Sequence, residues 1–125
     1  MEPIKIYVKW EEIENYLNAI VQDIKEKGIK PTGVFGLPRG GLIYATWLSY
    51  KLNIPLLMHA AEGCIIIDDI ADTGRSLYHY RENRTQFNKY YITTMYYVKD
   101  SLVKPDFYYK EKKAGEEWTV YPYEI

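Results

Sequence analysis

Three closely spaced carboxylates behind an apolar run make the stretch Cys64-Ile65-Ile66-Ile67-Asp68-Asp69-Ile70-Ala71-Asp72-Thr73-Gly74-Arg75-Ser76-Leu77 the part of this chain best equipped for chemistry. The four residues before Asp68 are apolar and three of them are β-branched, with no polar residue alternating among them. That pattern suits a strand buried on both faces of a parallel sheet covered by helices. In open α/β sheets ligands bind beyond the carboxyl ends of such strands, which is where Asp68, Asp69 and Asp72 fall. The turn Thr73-Gly74-Arg75-Ser76 then opens onto a helical pattern, and the unpaired amides at a helix start favour an anion such as phosphate. Carboxylates beside an anion cradle serve one ligand together when that ligand is a sugar phosphate: the acids accept hydrogen bonds from ribose hydroxyls while the amides hold the phosphate. An acidic surface loop that only caps the next helix is the plainer alternative.

The elements around this stretch alternate. Residues 4–8 are strand-like, and Trp10, Ile13, Leu17, Ile20 and Ile24 recur at helical spacing over 10–27, where Gly28 closes an amphipathic helix. A short strand over 32–35 leads into Gly36-Leu37-Pro38-Arg39-Gly40-Gly41, and a helix from 41 to 52 sets Leu42, Ala45, Leu48 and Leu52 on one side. A strand over 54–58, the connection 59–63, the central strand, a helix over 75–89 carrying Leu77, Tyr80, Arg84 and Phe87, and an aromatic and β-branched strand over 90–98 follow. Residues 107–109 and 118–121 are short strand candidates around the charged turn 110–117. This order predicts one doubly wound α/β domain over 1–125, with right-handed crossovers and a C-terminal third that forms a lid or edge addition over the strand ends.

The central stretch closely resembles the binding motif for 5-phosphoribosyl 1-pyrophosphate (PRPP) in type I phosphoribosyltransferases, an acidic pair followed by x-x-Asp-Thr-Gly-x-Ser/Thr. The glycine loop strengthens the resemblance. Its amides can reach an anion and its glycines allow close approach of backbone, and Arg39-Gly40-Gly41 at this place is similar to the pyrophosphate loop of the purine enzymes, in which a cis non-proline peptide would fall at Pro38-Arg39. Further on, Lys99 followed by Trp118-Thr119-Val120-Tyr121-Pro122-Tyr123-Glu124 resembles the base-binding end of the xanthine-guanine and hypoxanthine-guanine enzymes. The fold this implies is a three-layer α/β domain with a central, mostly parallel sheet and a small C-terminal hood.

The resemblance implies roles residue by residue. Asp68 and Asp69 hold the ribose hydroxyls and act on a Mg²⁺ ion indirectly, through PRPP and water. Asp72, Thr73, Gly74, Arg75 and Ser76 hold the 5′-phosphate, and Asp72 is also the candidate general base at the purine N7. Pro38, Arg39, Gly40 and Gly41 meet the pyrophosphate. Lys99 donates to an exocyclic oxygen and Trp118 stacks on the base, with the carbonyl of Thr119 and Glu124 near its 2-position. The implied reaction is transfer of ribose 5-phosphate from PRPP to a nitrogen of a base, a 6-oxopurine, with release of pyrophosphate. The ligands are then PRPP and a purine base or nucleotide, and a homodimer is compatible with the pattern.

Composition bounds the rest. With 16 basic and 17 acidic residues and a net charge of −1, the overall balance argues neither for nucleic acid nor for an anionic membrane as partner. The single cysteine, Cys64, reads as a buried core residue and excludes an internal disulfide. That usage fits a reducing cytoplasm, and with no signal-peptide pattern and no long apolar run the chain is expected to be neither secreted nor membrane-spanning. His59 and His79 lack companions at metal-ligand spacing and are expected at the surface or in lid packing.

One part of the family pattern is absent. Between the strand ending near Met58 and the strand starting near Cys64 lie only residues 59–63, where catalytic type I enzymes place a long mobile loop over PRPP. Covering then falls to another element, such as the Tyr-rich tail or a partner subunit, or the site works without full closure. The short connection keeps open a second reading, a regulatory module that senses PRPP or a nucleotide in the same pocket without turnover. A phosphoacceptor of the response-regulator type also pairs aspartates at a strand end, but the Thr-Gly-Arg-Ser turn argues against it.

Overall fold

The computed structural model of the chain describes residues 4–72, 74–82, 90–113, 115 and 117–124, with Glu82 described by its backbone alone. In chain order the elements are β1 (Ile4–Tyr7), α1 (Trp10–Lys27), β2 (Val34–Gly36), α2 (Gly40–Leu52), β3 (Ile65–Ala71), α3 (Arg75–Glu82), β4 (Tyr91–Val98), β5 (Phe107–Lys112), β6 (Glu117–Val120) and a single 3-10 turn, Pro122–Glu124. Strands β2, β3, β4 and β5 form a parallel sheet in that order, while β1 and β6 pair in parallel as a separate two-stranded sheet. The fold is α/β with parallel sheets and flanking helices, as the alternation of elements predicts. Among the described residues no helix is long and apolar enough to cross a membrane.

Helix α1 keeps its predicted bounds. Glu11 and Glu12 lie in its first turn and Lys25 and Lys27 in its last, complementing the helix dipole. Gly28 ends it at φ 66°, where the Ile29 amide reaches back to the Ile24 carbonyl at 3.0 Å. Its buried face is Ile13, Tyr16, Leu17, Ile20 and Ile24; Trp10 stands outside it and stacks on Trp47 with ring centres 5.8 Å apart.

Helix α2 is rotated from the predicted face. Gly41, Tyr44, Ala45 and Leu48 are buried, whereas Leu42 is exposed. The reason is the approach to β3: a methyl on Gly41 would strike the carbonyl oxygen of Ile67, so this glycine must face the strand and Leu42 turns outward. The expected strand over 54–58 shrinks to one parallel bridge, Leu56 with Val34. Pro55 has no N–H for a ladder, and Leu56 and Met58 are exposed, while Ile54 and Leu57 are only partly buried against the cores. Of the helix expected over 75–89, residues 75–82 are helical and 83–89, with Arg84 and Phe87, lie outside the described residues.

The sheet is covered on both faces. Ile65 and Ile67 of β3 pack with α1 and α2 in one core, while Cys64 and Ile66 join Leu77 of α3 and Val103 in another. Partway along β3 this alternation is reset. Its ladder with β4 runs from Ile65↔Tyr91 to Asp68↔Thr94, omits Asp69 and Met95, and resumes at Ile70↔Tyr96. Before the break the odd-numbered residues face the α1/α2 core; beyond it Ile70 faces that core and Ala71 the other. One residue is skipped on each strand, so the register is kept across the break, which falls on the acidic pair.

Candidate functional site

Successive side chains of a regular strand point to opposite faces, yet the carboxyls of Asp68 and Asp69 act on each other electrostatically, which the break at Asp69 allows. The Asp69 amide also donates to Asp68 Oδ1 at 2.9 Å. Burial and the charge of Asp69 push the Asp68 carboxyl up to about 8, and burial raises Asp69 as well, with Glu124 adding to the rise. Near neutral pH the pair therefore retains a proton.

The glycine loop closes one side of this pair. The Leu37 amide donates to the Ile67 carbonyl at 3.0 Å, the Gly41 amide to Leu37 at 2.8 Å, and the Pro38–Arg39 peptide between them is cis. Gly40 lies so near the Asp69 carboxylate that a methyl there would overlap it. Two separate sequence motifs thus meet at the carboxyl ends of adjacent strands. Arg39 and Pro38 are exposed, and Arg39 lines a cavity of about 540 Å³ with Gly40, Ile43, Asp69, Tyr123 and Glu124.

The C-terminal turn closes the other side. Tyr121 Oη donates to the Asp69 carbonyl and Tyr123 Oη to Asp69 Oδ2, each at 3.4 Å. Tyr123 Oη also reaches Tyr44 Oη at 3.1 Å, and the Tyr121 and Tyr123 rings stack with centres 5.3 Å apart. Burial raises the hydroxyls of Tyr44, Tyr121 and Tyr123 far above their usual range, so they stay protonated as donors. Glu124 Oε1 accepts from the Tyr121 amide at 2.8 Å, which folds the turn.

Beyond this turn lies a second cavity, of about 310 Å³. Asp69, Asp72, Lys112, Trp118, Thr119 and Glu124 contribute to its walls. The sequence-predicted Asp72, Trp118, Thr119 and Glu124 therefore share one cavity, and Asp69 and Glu124 line both. Lys99 is exposed just past β4 and lines an adjoining cavity with Asp100 and Glu111, which shares Val98 and Lys112 with the cavity of Trp118. Gly74, at φ 80°, sits against the amides of Leu102 and Val103, and Arg75 and Ser76 are exposed in the first turn of α3. Thr73 lies outside the described residues.

Sequence reasoning missed Lys112 and the pairing of Tyr44 with Tyr123. A lysine at a strand end carries no local signal beyond alternation, and the tyrosine pair joins residues 79 apart in sequence. Both histidines are exposed and Cys64 is fully buried, as expected. The short connection 59–63 is not at the site. Thr32, just before β2, donates its amide to the Gly63 carbonyl at 3.1 Å and its hydroxyl to Glu62 at 2.7 Å, so the connection is tied to the amino ends of the strands.

Comparison with known proteins bears out the resemblance read from the sequence. No family model matches the chain. The structure superimposes on a purine phosphoribosyltransferase from Pyrococcus horikoshii with a TM-score of 0.80 and 26% identity, covering 97% of this chain and 95% of that one. It matches a xanthine-guanine-hypoxanthine phosphoribosyltransferase from Helicobacter pylori with a TM-score of 0.76 at 17% identity, over 97% and 94% of the two chains. In sequence the chain is 22% identical over 140 residues to a xanthine-guanine phosphoribosyltransferase from Chromohalobacter salexigens, spanning 94% of this chain and 83% of the relative. The fold is that of the type I phosphoribosyltransferases. The Pyrococcus and Helicobacter structures it matches within that fold are purine enzymes.

Proposed function

We propose that this chain transfers the 5-phosphoribosyl group of PRPP to a ring nitrogen of a 6-oxopurine and releases pyrophosphate. The observation that carries the reading is the contact of Gly40 with the Asp69 carboxylate. It puts an amide-rich loop, fit for pyrophosphate, beside carboxylates fit for ribose hydroxyls, with an aromatic-walled cavity next to both.

In this reading Asp68 and Asp69 accept hydrogen bonds from the ribose hydroxyls. Asp72, Gly74, Arg75 and Ser76, with Thr73, hold the 5′-phosphate at the start of α3, and Pro38, Arg39, Gly40 and Gly41 meet the pyrophosphate. Trp118 stacks on the base, Thr119 and Glu124 meet its 2-position, Lys99 donates to an exocyclic oxygen, and Asp72 takes the N7 proton. Asp68 and Asp69 offer the oxygen donors a hard cation prefers. Among the described residues no three His, Cys, Asp or Glu converge, so the donor set suits an ion that keeps water and substrate oxygens as ligands. Bound Mg²⁺ would neutralise charge on the departing pyrophosphate. As positive charge develops on the ribose, the negative charge of the acidic pair stabilises it, and the Tyr121 and Tyr123 hydroxyls hold Asp69 in place.

Pyrophosphate release from PRPP and Mg²⁺ tests this with a panel of bases. Release with hypoxanthine, guanine or xanthine and little with adenine is expected. Tight PRPP binding with no release for any base would instead support the sensing module.

A further inference from the structure

The turn read from the sequence as a 5′-phosphate site has a second element packed against it. At Gly74, with φ 80°, an added methyl would strike Ser101 Oγ and the amide nitrogens of Leu102 and Val103, so the crossover 99–106 from β4 to β5 touches the turn directly. Its own bonds hold that crossover in shape. The Ser101 amide donates to the Val98 carbonyl at 2.8 Å, while Ser101 Oγ accepts from the Val103 amide at 3.3 Å and donates to the Val103 carbonyl at 3.1 Å. Val103 is buried in one core with Leu77 of α3. At the far end Asp106 is pinned to β4, its amide donating to the Ile92 carbonyl at 2.7 Å and its Oδ2 accepting from the Ile92 amide at 2.8 Å. Arg81, about two helical turns along α3 from Gly74, closes the clasp: Nη2 donates to the Lys104 carbonyl at 2.7 Å and Nη1 to Asp106 Oδ1 at 3.3 Å.

We propose that Arg81 is a positioning residue for the ribose 5-phosphate end of the substrate. By fastening residues 104 and 106 to α3 it keeps 101–103 seated against Gly74, and so fixes the amides at the start of α3 relative to Asp69. This rests on the transferase reading above. A phosphate cradle built from backbone amides has no side-chain reach with which to adjust, so its affinity depends on where the backbone is held. The sheet order β2-β3-β4-β5 puts the crossover on the β4 side of β3 and the loop 38–41 on the β2 side. Arg81 therefore acts on one end of PRPP and not on the other. A planar guanidinium bridges a carbonyl and a carboxylate in one fixed geometry, which a flexible ammonium does less well. The side chains of Arg81 and Asp106 are only 24% and 25% exposed, so their pair is more sheltered than one on the open surface.

Calorimetric binding of ribose 5-phosphate, PRPP and inorganic pyrophosphate, each with Mg²⁺, tests this on the wild-type chain and on Arg81→Gln, Arg81→Lys and Ser101→Ala. We expect Arg81→Gln to weaken ribose 5-phosphate and PRPP by about tenfold, within the range for a residue that acts through others, and to leave pyrophosphate within about twofold. Arg81→Lys should recover part of the loss. Ser101→Ala removes the two bonds that shape the crossover without adding bulk, and should weaken the same two ligands. Equal loss for all three ligands, or a lower melting temperature with ribose 5-phosphate affinity unchanged, would make the clasp purely structural and overturn the proposal. Should Arg81→Gln fail to fold, Ser101→Ala decides, and ribose 5-phosphate bound as tightly as by the wild type overturns it. If the wild type binds neither ribose 5-phosphate nor PRPP, the transferase reading falls with the proposal; if it binds both and the variants bind them equally well, only the proposal falls.

Discussion

Tyr123 Oη donates toward Asp69 Oδ2 at 3.4 Å and toward Tyr44 Oη at 3.1 Å, so a single hydroxyl ties the C-terminal turn to the acidic pair and to α2. Tyr44 Oη in turn donates to Met95 Sδ at 3.6 Å, beneath the break in the β3–β4 ladder. Tyr123→Phe should therefore loosen Asp69 without opening a cavity. We expect a stability loss of about 1 kcal/mol and a several-fold weaker affinity for PRPP, read by urea denaturation and calorimetry. Unchanged PRPP affinity would show that Asp69 holds its position without the tail.

The acidic pair should leave a mark on stability. Held up to about 8, the Asp68 carboxyl keeps in the folded chain a proton that the unfolded chain releases near pH 4. The folded state then binds more protons between those values, and stability falls as pH rises from about 4 to about 8. Asp68→Asn should flatten that decline and stabilise the free chain at pH 8 by on the order of 1–2 kcal/mol while weakening PRPP binding, the trade-off expected of a functional carboxylate. Denaturation at pH 5 and pH 8 checks the sign, and parallel losses in variant and wild type would refute it.

How much of this was legible in the sequence follows from range. Helix α1 rests on local periodicity and the buried core of β3 on an unbroken apolar run, and both appear at the expected residues. The acidic pair and glycine loop were visible as motifs, but their contact depends on the parallel register of β2 with β3, which no local pattern encodes. The pairing of β1 with β6 joins the two ends of the chain, and Ile4 and Trp118 remain exposed there, so no hydrophobic alternation announces it. Leu42 misled because an apolar residue at helical spacing looks like core, while the residue that faces the strand is a glycine chosen for having no side chain.

Gly40→Ala makes the contact between motifs testable. The added methyl overlaps the Asp69 carboxylate, which must swing away. A stability cost of about 1–3 kcal/mol is expected from overpacking, together with loss of PRPP binding beyond what Asp69→Asn alone causes. A crystal structure of the variant with Asp69 unmoved would contradict the packing described here.

Trp118 is 60% exposed, so Trp118→Ala should leave stability within about 0.5 kcal/mol. Lost stacking on the base should nonetheless raise KM for all purines by an amount corresponding to about 1–3 kcal/mol. Steady-state kinetics read it, and a destabilised fold with unchanged KM would mark the ring as packing only.

Phosphorus NMR of PRPP with Mg²⁺ and the protein, with and without hypoxanthine, tests the central claim most directly. With the base present the PRPP signals should give way to pyrophosphate and a nucleoside monophosphate. Without it, slow formation of ribose 5-phosphate should appear, because residues 59–63 are tied at the far end of the strands and water can reach the reaction centre. PRPP that stays intact in both mixtures, although calorimetry shows it bound, would contradict the assignment of this chain as a phosphoribosyltransferase.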